Sequence, residues 1–562
     1  MLVKRHLKYG VIAIVLGMIA VACGADETAT DDDPDTDDAE VEDTDADADD
    51  DADDDADEPD DDADEAAEGG DLIVGTTDAP TGLDPATVYD TNSSQALFNI
   101  GETLVGFPAG ETEVAPFLAA DLPEISDDGL TYTFELRDDV VFSNGTEMTS
   151  EDVKFSLERS INMEHPQGAG FLLAGIEDIE TPDDHTVEIT LNEPNITFLS
   201  RLAYTVGTIL PADGHYPAPD GPVSETGEDP DDFRQEEFVG TGRYLVEDFR
   251  EGESMTLVAN PDYHGDAPAN DRVLVQFFDS SSQLRLALEG GEIDIAFRDL
   301  APDEQADLAA TDGIQVVEGE GASIRYVVLN PNVEPFDDPD VRRAFAAAMD
   351  RERLIDNVFQ GFGTPLYSMI ATGFSQYEPM FEQYEDAEPS DFLDEPVSIT
   401  LAHETGDHYG PTEPSMAEEL SRMLEESGMF EVQTDTSEWA QFTEESFPVS
   451  EDTHGAFLLG WYPSYFDADY YIEPFFASGG FLGMPATDEM DELIVAQQQV
   501  DDPDSEERAD IFADIQEIAV DEALIVPLIE ETPVVFADEG VSGLDETMDV
   551  MQIFRYWLLS AE

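Results

Sequence analysis

The run Asp128-Gly-Leu-Thr-Tyr-Thr-Phe-Glu-Leu-Arg-Asp-Asp-Val-Val-Phe-Ser-Asn-Gly145 is followed by Met148-Thr-Ser-Glu-Asp-Val-Lys-Phe-Ser156 and Arg159. Asp128-Gly129 is a turn pair, since Asp bonds its own backbone and Gly tolerates positive φ. Residues 131–136 then alternate polar and apolar with the period of a half-buried strand. Phe134, Leu136, Val141 and Phe142 are core candidates. Asp152, Phe155 and Arg159 stand at i, i+3 and i+7, one side of a helix, which predicts packing and a local ion pair rather than chemistry.

Working outward, residues 186–191 and 323–330 alternate as strands do. Residues 338–360 place Val341, Ala344, Phe345, Ala348, Leu354, Ile355 and Val358 on one helical side, with Asp338 as cap and Pro339 in the first turn. Residues 503–523 repeat that logic with Ile511, Phe512, Ile515, Ile518 and Ala519. Strand 397–402, helix 415–427 and strand 431–436, with Gly428 at the helix end, read as a βαβ unit. The class is α/β or α+β with several mixed sheets.

Cys23 is the single cysteine. It follows a basic start (Lys4, Arg5, Lys8), the apolar run 11–21 and Ala20-Val21-Ala22, which is signal-peptide grammar ending in a lipobox-like site with Ala20 where Leu is usual. Diacylation of Cys23 plus acylation of the new N-terminus would give the two chains that stable anchoring takes. A transmembrane reading fails on length: eleven residues make about 16 Å of helix against a core of ~30 Å. With Cys23 lipidated, no thiol remains for a disulfide, nucleophile or Cys-based metal site. The expected layout is a signal peptide at 1–22 and an anchor with a disordered acidic linker at 23–70.

Residues 26–68 hold 27 of the 134 acidic residues and no Lys or Arg. Such a segment cannot bury enough apolar surface to order itself, and it closes no Asp-x-Asp-x-Asp-Gly calcium loop. The body from 71 to 562 keeps 107 carboxylates against 18 cations, one Lys and 17 Arg, a net charge near −89. That balance suits an acidic, strongly hydrated surface at high salt and excludes nucleic acid as a partner. The body is long enough for two or three domains, and no further run reaches the ~18 apolar residues of a membrane span.

The quoted signature resembles that of the extracellular solute-binding proteins of family 5, the dipeptide-, oligopeptide- and nickel-binding receptors of ABC importers. Matching segments run along the body: Leu83-Asp84-Pro85, Ala115-Pro-Phe-Leu-Ala119, Gly240-Thr-Gly-Arg-Tyr244, Asn260-Pro-Asp-Tyr-His-Gly265, Asp340-Val-Arg-Arg-Ala344, Ala348-Met-Asp-Arg351 and Gly460-Trp461 with Asp467. The resemblance implies an α/β, two-lobed periplasmic-binding-protein type II-like fold with an extra domain inserted in the N-terminal lobe. Its expected segments are 71–106 and 237–330 for the first lobe, 107–236 for the insert, 331–524 for the second lobe and 525–562 returning to the first. It also implies a monomer that captures a small solute, a short peptide foremost, and delivers it to membrane permease subunits. Oligosaccharides and nickel chelates are the alternatives.

In peptide-binding members an Asp three residues after Gly-Trp takes the ligand's ammonium. Here that position is Ser464, and a later acidic position is Asp467. Ser cannot neutralise an ammonium, which weakens the case for a free amine unless Asp467 takes the role. Trp461, Tyr462 and Tyr465 complete the candidate ligand-binding set, with aromatic core as the competing reading of Trp461. Against an enzyme, His403-Glu-Thr-Gly-Asp-His408 spaces its histidines i, i+5, about 140° apart on a helix, where a zinc grip needs i, i+4. It reads as a strand-to-helix loop. No catalytic residue, metal or cofactor is expected.

Overall fold

The computed structural model describes residues 70–165, 167–217, 233, 235–298, 300–319, 321–406, 408–548 and 553–561. The signal peptide, Cys23 and nearly all of the acidic linker lie outside the described residues. Within them, no helix is long and apolar enough to cross a membrane.

The turn at Asp128-Gly129 forms as its residues require. Gly129 sits at φ +70°, and Ser126 Oγ donates to Asp128 Oδ1 at 2.6 Å while accepting from Thr131 N at 2.9 Å. The strand Thr131–Glu135 turns Tyr132 and Phe134 into the core. It is second in a four-stranded antiparallel sheet ordered Glu124–Ile125, Thr131–Glu135, Thr186–Leu191, Ile176–Asp183. Helix Ser150–Met163 begins where Asp152 accepts the Thr149 N–H at 2.7 Å. The ion pair read as local is instead long-range. Arg159 grips both oxygens of Asp84, 75 residues earlier, at 2.6 Å each, and Asp152 receives Ala212 N at 2.7 Å. Helical spacing alone could not reveal a partner on another segment. This buried fork joins the signature helix to the Leu83-Asp84-Pro85 turn.

Two larger sheets carry the rest. One has seven strands, ordered Ile314–Glu318, Val534–Asp538, Ile295–Phe297, Asp71–Thr76, Arg272–Phe277, Ser254–Ala259, Tyr244–Arg250. The other has six, ordered Thr364–Pro365, Ile525–Glu531, Ser323–Leu329, Ala456–Trp461, Val397–Glu404, Phe430–Ser437. The βαβ unit forms as expected: Val397–Glu404 and Phe430–Ser437 run parallel around helix Glu413–Glu426, with Gly428 at φ +73°. Ser323–Leu329 reads as alternating, yet all seven residues are buried, because it lies inside the sheet and both faces are covered.

The lobe boundaries expected at 330 and 525 differ from the sheet pairing. Ser323–Leu329 and Ile525–Glu531 both belong to the six-stranded sheet. The chain changes sheets between Glu318 and Ser323 and again between Glu531 and Val534, and these two crossings lie side by side. Glu318 pairs with Val534, Gly319 N donates to Pro533 O at 2.8 Å, and Ser323 pairs with Glu531. A Cβ on Gly321 would stand 2.6 Å from Glu531 O, so close backbone approach fixes glycine there.

The single helix expected over 338–360 is two, Pro339–Ala347 and Arg351–Val358. Asp338 caps the first through Asp340 N, and Asp350 caps the second by accepting from Arg353 N at 3.0 Å. The break lets Arg342 and Arg351 reach backbone carbonyls of Phe336, Leu366 and Pro527 from buried positions. Helix Glu506–Glu522 starts at a Ser505 cap, within the expected 503–523.

His403 and Glu404, expected in a strand-to-helix loop, instead end the strand Val397–Glu404, which runs two residues past its expected end. His403 Nδ1 donates to the Glu404 carbonyl at 2.8 Å, and Nε2 shares a hydrogen bond with Thr436 Oγ at 2.8 Å. His408 stacks on Trp439 at 3.8 Å. The two histidines thus have separate jobs.

Two stability tests follow. Asp84→Asn strands a buried guanidinium and should cost about 3–5 kcal/mol in urea unfolding, against under about 1 kcal/mol for Glu247→Gln at the exposed Arg272 pair. Burial holds the His403 imidazole below its usual range, opposed by the Glu404 carbonyl and Asp435. The folded protein therefore binds this proton less readily than the unfolded chain, and stability is lost as pH falls through the unfolded value near ~6.5 toward the folded one. Urea midpoints between pH 7 and 5 should fall faster for the wild type than for His403→Gln; parallel curves refute the assignment.

Candidate functional site

The strand Ala456–Trp461 runs inside the six-stranded sheet and delivers its last residues, Gly460 and Trp461, to the sheet end nearest the crossings. Gly460 is required there, because a Cβ would meet the Tyr409 ring at 2.8 Å. Beyond it the candidate residues part company.

Trp461 is half-buried among aromatic rings, 5.1 Å from Tyr470 and 4.9 Å from Phe475, and its Nε1 donates to Tyr470 O at 3.2 Å. Those contacts match the core reading of this residue. Tyr462 turns the other way and stacks at 6.2 Å on Tyr409, whose hydroxyl donates to Gly460 O at 2.9 Å. Tyr465 is buried beneath the Arg201 guanidinium, 5.5 Å from its ring centre, and its hydroxyl donates to Asp469 Oδ2 at 3.3 Å.

Ser464 joins a cluster of neutral hydroxyls. Its Oγ lies 2.8 Å from Tyr470 Oη and 3.2 Å from Tyr89 Oη, and the two phenols are 2.6 Å apart. Burial pushes both phenols above their usual range, so they stay protonated. Tyr89 precedes helix Thr91–Ile100 and Tyr470 follows the strand Ala456–Trp461, so the cluster joins segments far apart in sequence. Asp467 does not face open space: Arg508 donates to both its oxygens at 2.7 and 3.0 Å, and Oδ1 also accepts Asp469 N at 2.8 Å. Burial raises its carboxyl above the usual range while Arg508 pulls it down.

Sequence reading missed Asp469. It is wholly buried and accepts from Arg201 Nη2 at 2.7 Å, Gln498 Nε2 at 3.1 Å and also Gln497. The same Arg201 pairs with Glu473. Arg201 stands on helix Phe198–Leu202, just after the four-stranded sheet, so this pair also ties separate parts of the body together. In a body with 107 carboxylates, one more Asp after Asp467-Ala468 carries little signal; the scarcity of cations would have been the better guide.

Beside the crossings lies a cavity of about 140 Å³. Phe297, Arg298 and Val534 of the seven-stranded sheet line one side; Tyr409, Tyr462 and Phe362 line the other. Glu531 also borders it, 3.7 Å from the buried guanidinium of Arg325, which itself pairs with Glu413. The cavity is thus walled by both sheets where they meet, and Tyr462 is the one expected ligand-binding residue on its wall.

A sequence profile of the bacterial extracellular solute-binding proteins, family 5 Middle, matches residues 113–483. The probable D,D-dipeptide-binding periplasmic protein DdpA of Escherichia coli is 26% identical over 501 residues, covering 86% of this chain and 93% of that protein. Heme-binding protein A of Haemophilus influenzae is 27% identical over 486 residues, covering 81% and 86%. The solved structure of the ABC transporter-associated periplasmic binding protein DppA from Helicobacter pylori, in complex with peptide STSA, has a TM-score of 0.72 at 25% identity and covers 88% and 98%. With the profile spanning most of the chain and two sheets joined by paired crossings, the chain belongs to the bacterial extracellular solute-binding proteins of family 5 and has their two-lobed α/β fold.

Proposed function

We propose that this protein is the solute receptor of an ABC importer, that its ligand is a short peptide, and that it works tethered by lipid at Cys23 on the outer face of the cytoplasmic membrane. The observation that carries the receptor reading is the cavity beside the paired crossings, where Tyr462 from one lobe faces Phe297 from the other. A solute held there touches both lobes, and only such a solute has the differential affinity that shifts an open–closed equilibrium. The peptide reading draws on relatives named for dipeptides and on the peptide complex of the Helicobacter pylori protein. The permease subunits that would accept the solute, and the monomeric state, belong to the same proposal.

Within the loop of residues 460–467 we assign Tyr462 to the ligand, and Trp461, Tyr465 and Asp467 to support. A free ligand ammonium finds hydroxyls at Ser464 rather than a carboxylate, and Asp467 is held by Arg508. The high net negative charge suits a protein that works in concentrated salt, where the Debye length shrinks to about 3 Å at 1 M.

Incubation with a pool of di- and tripeptides followed by native mass spectrometry should show retained peptides; retention of none refutes the peptide reading. Titrating a retained peptide by calorimetry, Tyr462→Ala should lose about 1–3 kcal/mol of binding with an unchanged melting midpoint. Asp467→Asn should instead lower stability by about 3–5 kcal/mol, since it strands the buried Arg508. Lost affinity at full stability in Asp467→Asn would return that residue to the ligand.

Cys23→Ser should release the protein from membranes, read by fractionation together with the mass of the mature N-terminal peptide. Unchanged retention with no lipid mass on the wild type refutes the anchor.

A further inference from the structure

A second cavity, of about 200 Å³, shares no lining residue with the one beside the crossings, and none of its described walls belongs to the six-stranded sheet. It opens at the end of helix Thr91–Ile100, and much of its wall is aromatic, with Phe98, Phe107 and Phe117. Its charged members are Arg243, Arg555 and Glu102. Two guanidinium groups to one carboxylate is the reverse of the body's balance of 107 carboxylates to 18 cations. That carboxylate is already engaged: it accepts from the Tyr263 hydroxyl at 3.0 Å and faces His264 Nε2 at 2.9 Å. Arg555 is engaged as well, donating to the carbonyls of Ile553 and Phe107 at 3.2 and 3.1 Å.

Arg243 differs from both. It belongs to the Gly240–Tyr244 segment, which the cavity beside the crossings does not use. Its guanidinium lies against two rings, 4.7 Å from the centre of Tyr263 and 4.5 Å from that of Trp557. The backbone holds this arrangement in place: Asn260 N donates to Arg243 O at 2.8 Å, and Ala269 N to Trp557 O at 3.0 Å. Contact with aromatic faces uses none of the five N–H donors of an arginine. Those donors make no hydrogen bond or ion pair among the described residues, and the half-buried side chain keeps its nitrogens accessible. We propose that this cavity is a second binding site, for a small aromatic monocarboxylate. The carboxylate takes a fork from Arg243, and the ring lies against Phe98, Phe107 and Phe117. Charge sets the first half, because a planar guanidinium with free donors matches both oxygens of a carboxylate. The preference of aromatic rings for offset and edge-to-face packing sets the second. The size admits one such ring, since about 200 Å³ is the share of roughly seven waters.

The test uses phenylacetate and its neutral counterpart phenylacetamide in equilibrium dialysis against the full chain. It is run in 1 M KCl, where a Debye length of about 3 Å keeps the body's charge from expelling the anion. The wild type should retain the acid at least tenfold better than the amide. Arg243→Gln should lower retention of the acid at least tenfold and leave the amide unchanged, while Tyr462→Ala, at the other cavity, should retain the acid as the wild type does. If Arg243→Gln melts early, Ala109→Trp serves in its place: Ala109 is exposed on the rim, and the larger side chain should obstruct the cavity and lower retention of the acid at least tenfold. Equal retention of acid and amide by the wild type, or retention of neither, overturns the site. An acid preference that survives in a folded Arg243→Gln overturns it too. Loss of the acid in Tyr462→Ala would place it beside the crossings and overturn the site as well. The peptide reading stands or falls on its own pool, whatever these probes do.

Discussion

The molecule depends on a pair of strand crossings. One passes from the seven-stranded to the six-stranded sheet and the other returns, and they are paired with each other: Glu318 with Val534, Gly319 with Pro533, Ser323 with Glu531. Two adjacent extended segments bend together more readily than they slide or twist apart, so they permit opening about one axis and resist other motions. The cavity is placed relative to this joint. Arg298 and Val534 flank it from one sheet, while Ser323 and Glu531 flank it from the other. A solute at the joint therefore senses lobe separation through small displacements of rigid walls.

Charge is the second constraint. With so few cations, where the arginines sit is informative. Arg159 with Asp84 and Arg508 with Asp467 are buried forks between segments distant in sequence, and Arg201 reaches the buried Asp469 through a single Nη2. An exposed ion pair would contribute little and would be screened in salt. Buried ones are screened much less, and each fixes the orientation of the segments it joins. Arginine suits this use because its fork holds a carboxylate at both oxygens, whereas an ammonium is a point charge. Surface acidity and interior arginine are thus two parts of one arrangement: the outside hydrates and the inside locks.

Local chemistry was legible in the sequence wherever one residue dictates one geometry. The Asp128-Gly129 turn, the βαβ unit with Gly428 and the cap at Asp338 follow from side chains acting within a few residues. Partnerships across the chain were not legible. The Arg159–Asp84 fork needed Asp84 to be brought from 75 residues away, and the sheet to which Ser323–Leu329 belongs is set by pairing that alternation cannot encode. The candidate site divides the same way. The signature after Gly460 drew attention to the right loop, yet the side chains there point in different directions, and only Tyr462 of the expected set borders the cavity.

Contacts between distant segments bear on how such a receptor is tuned. Tyr89 with Tyr470 and Ser464, and Arg201 with Asp469 and Glu473, join parts of the chain more than 250 residues apart. A hydrogen bond of this kind contributes about 0.5–1.5 kcal/mol net, and more when one partner is charged. Such bonds set the equilibrium from which a ligand starts, and every tenfold shift toward the touching arrangement takes about 1.4 kcal/mol off the work the ligand must do. If they held the lobes together too firmly, solute could neither enter nor leave. If they were absent, the whole closing free energy would have to come from the ligand. The hydroxyl cluster at Ser464 answers this balance in a particular way. An aspartate at that position, without a ligand ammonium, would be a buried unpaired charge that opposes contact. Serine removes that opposition, and the buried phenols around it stay protonated and satisfy one another.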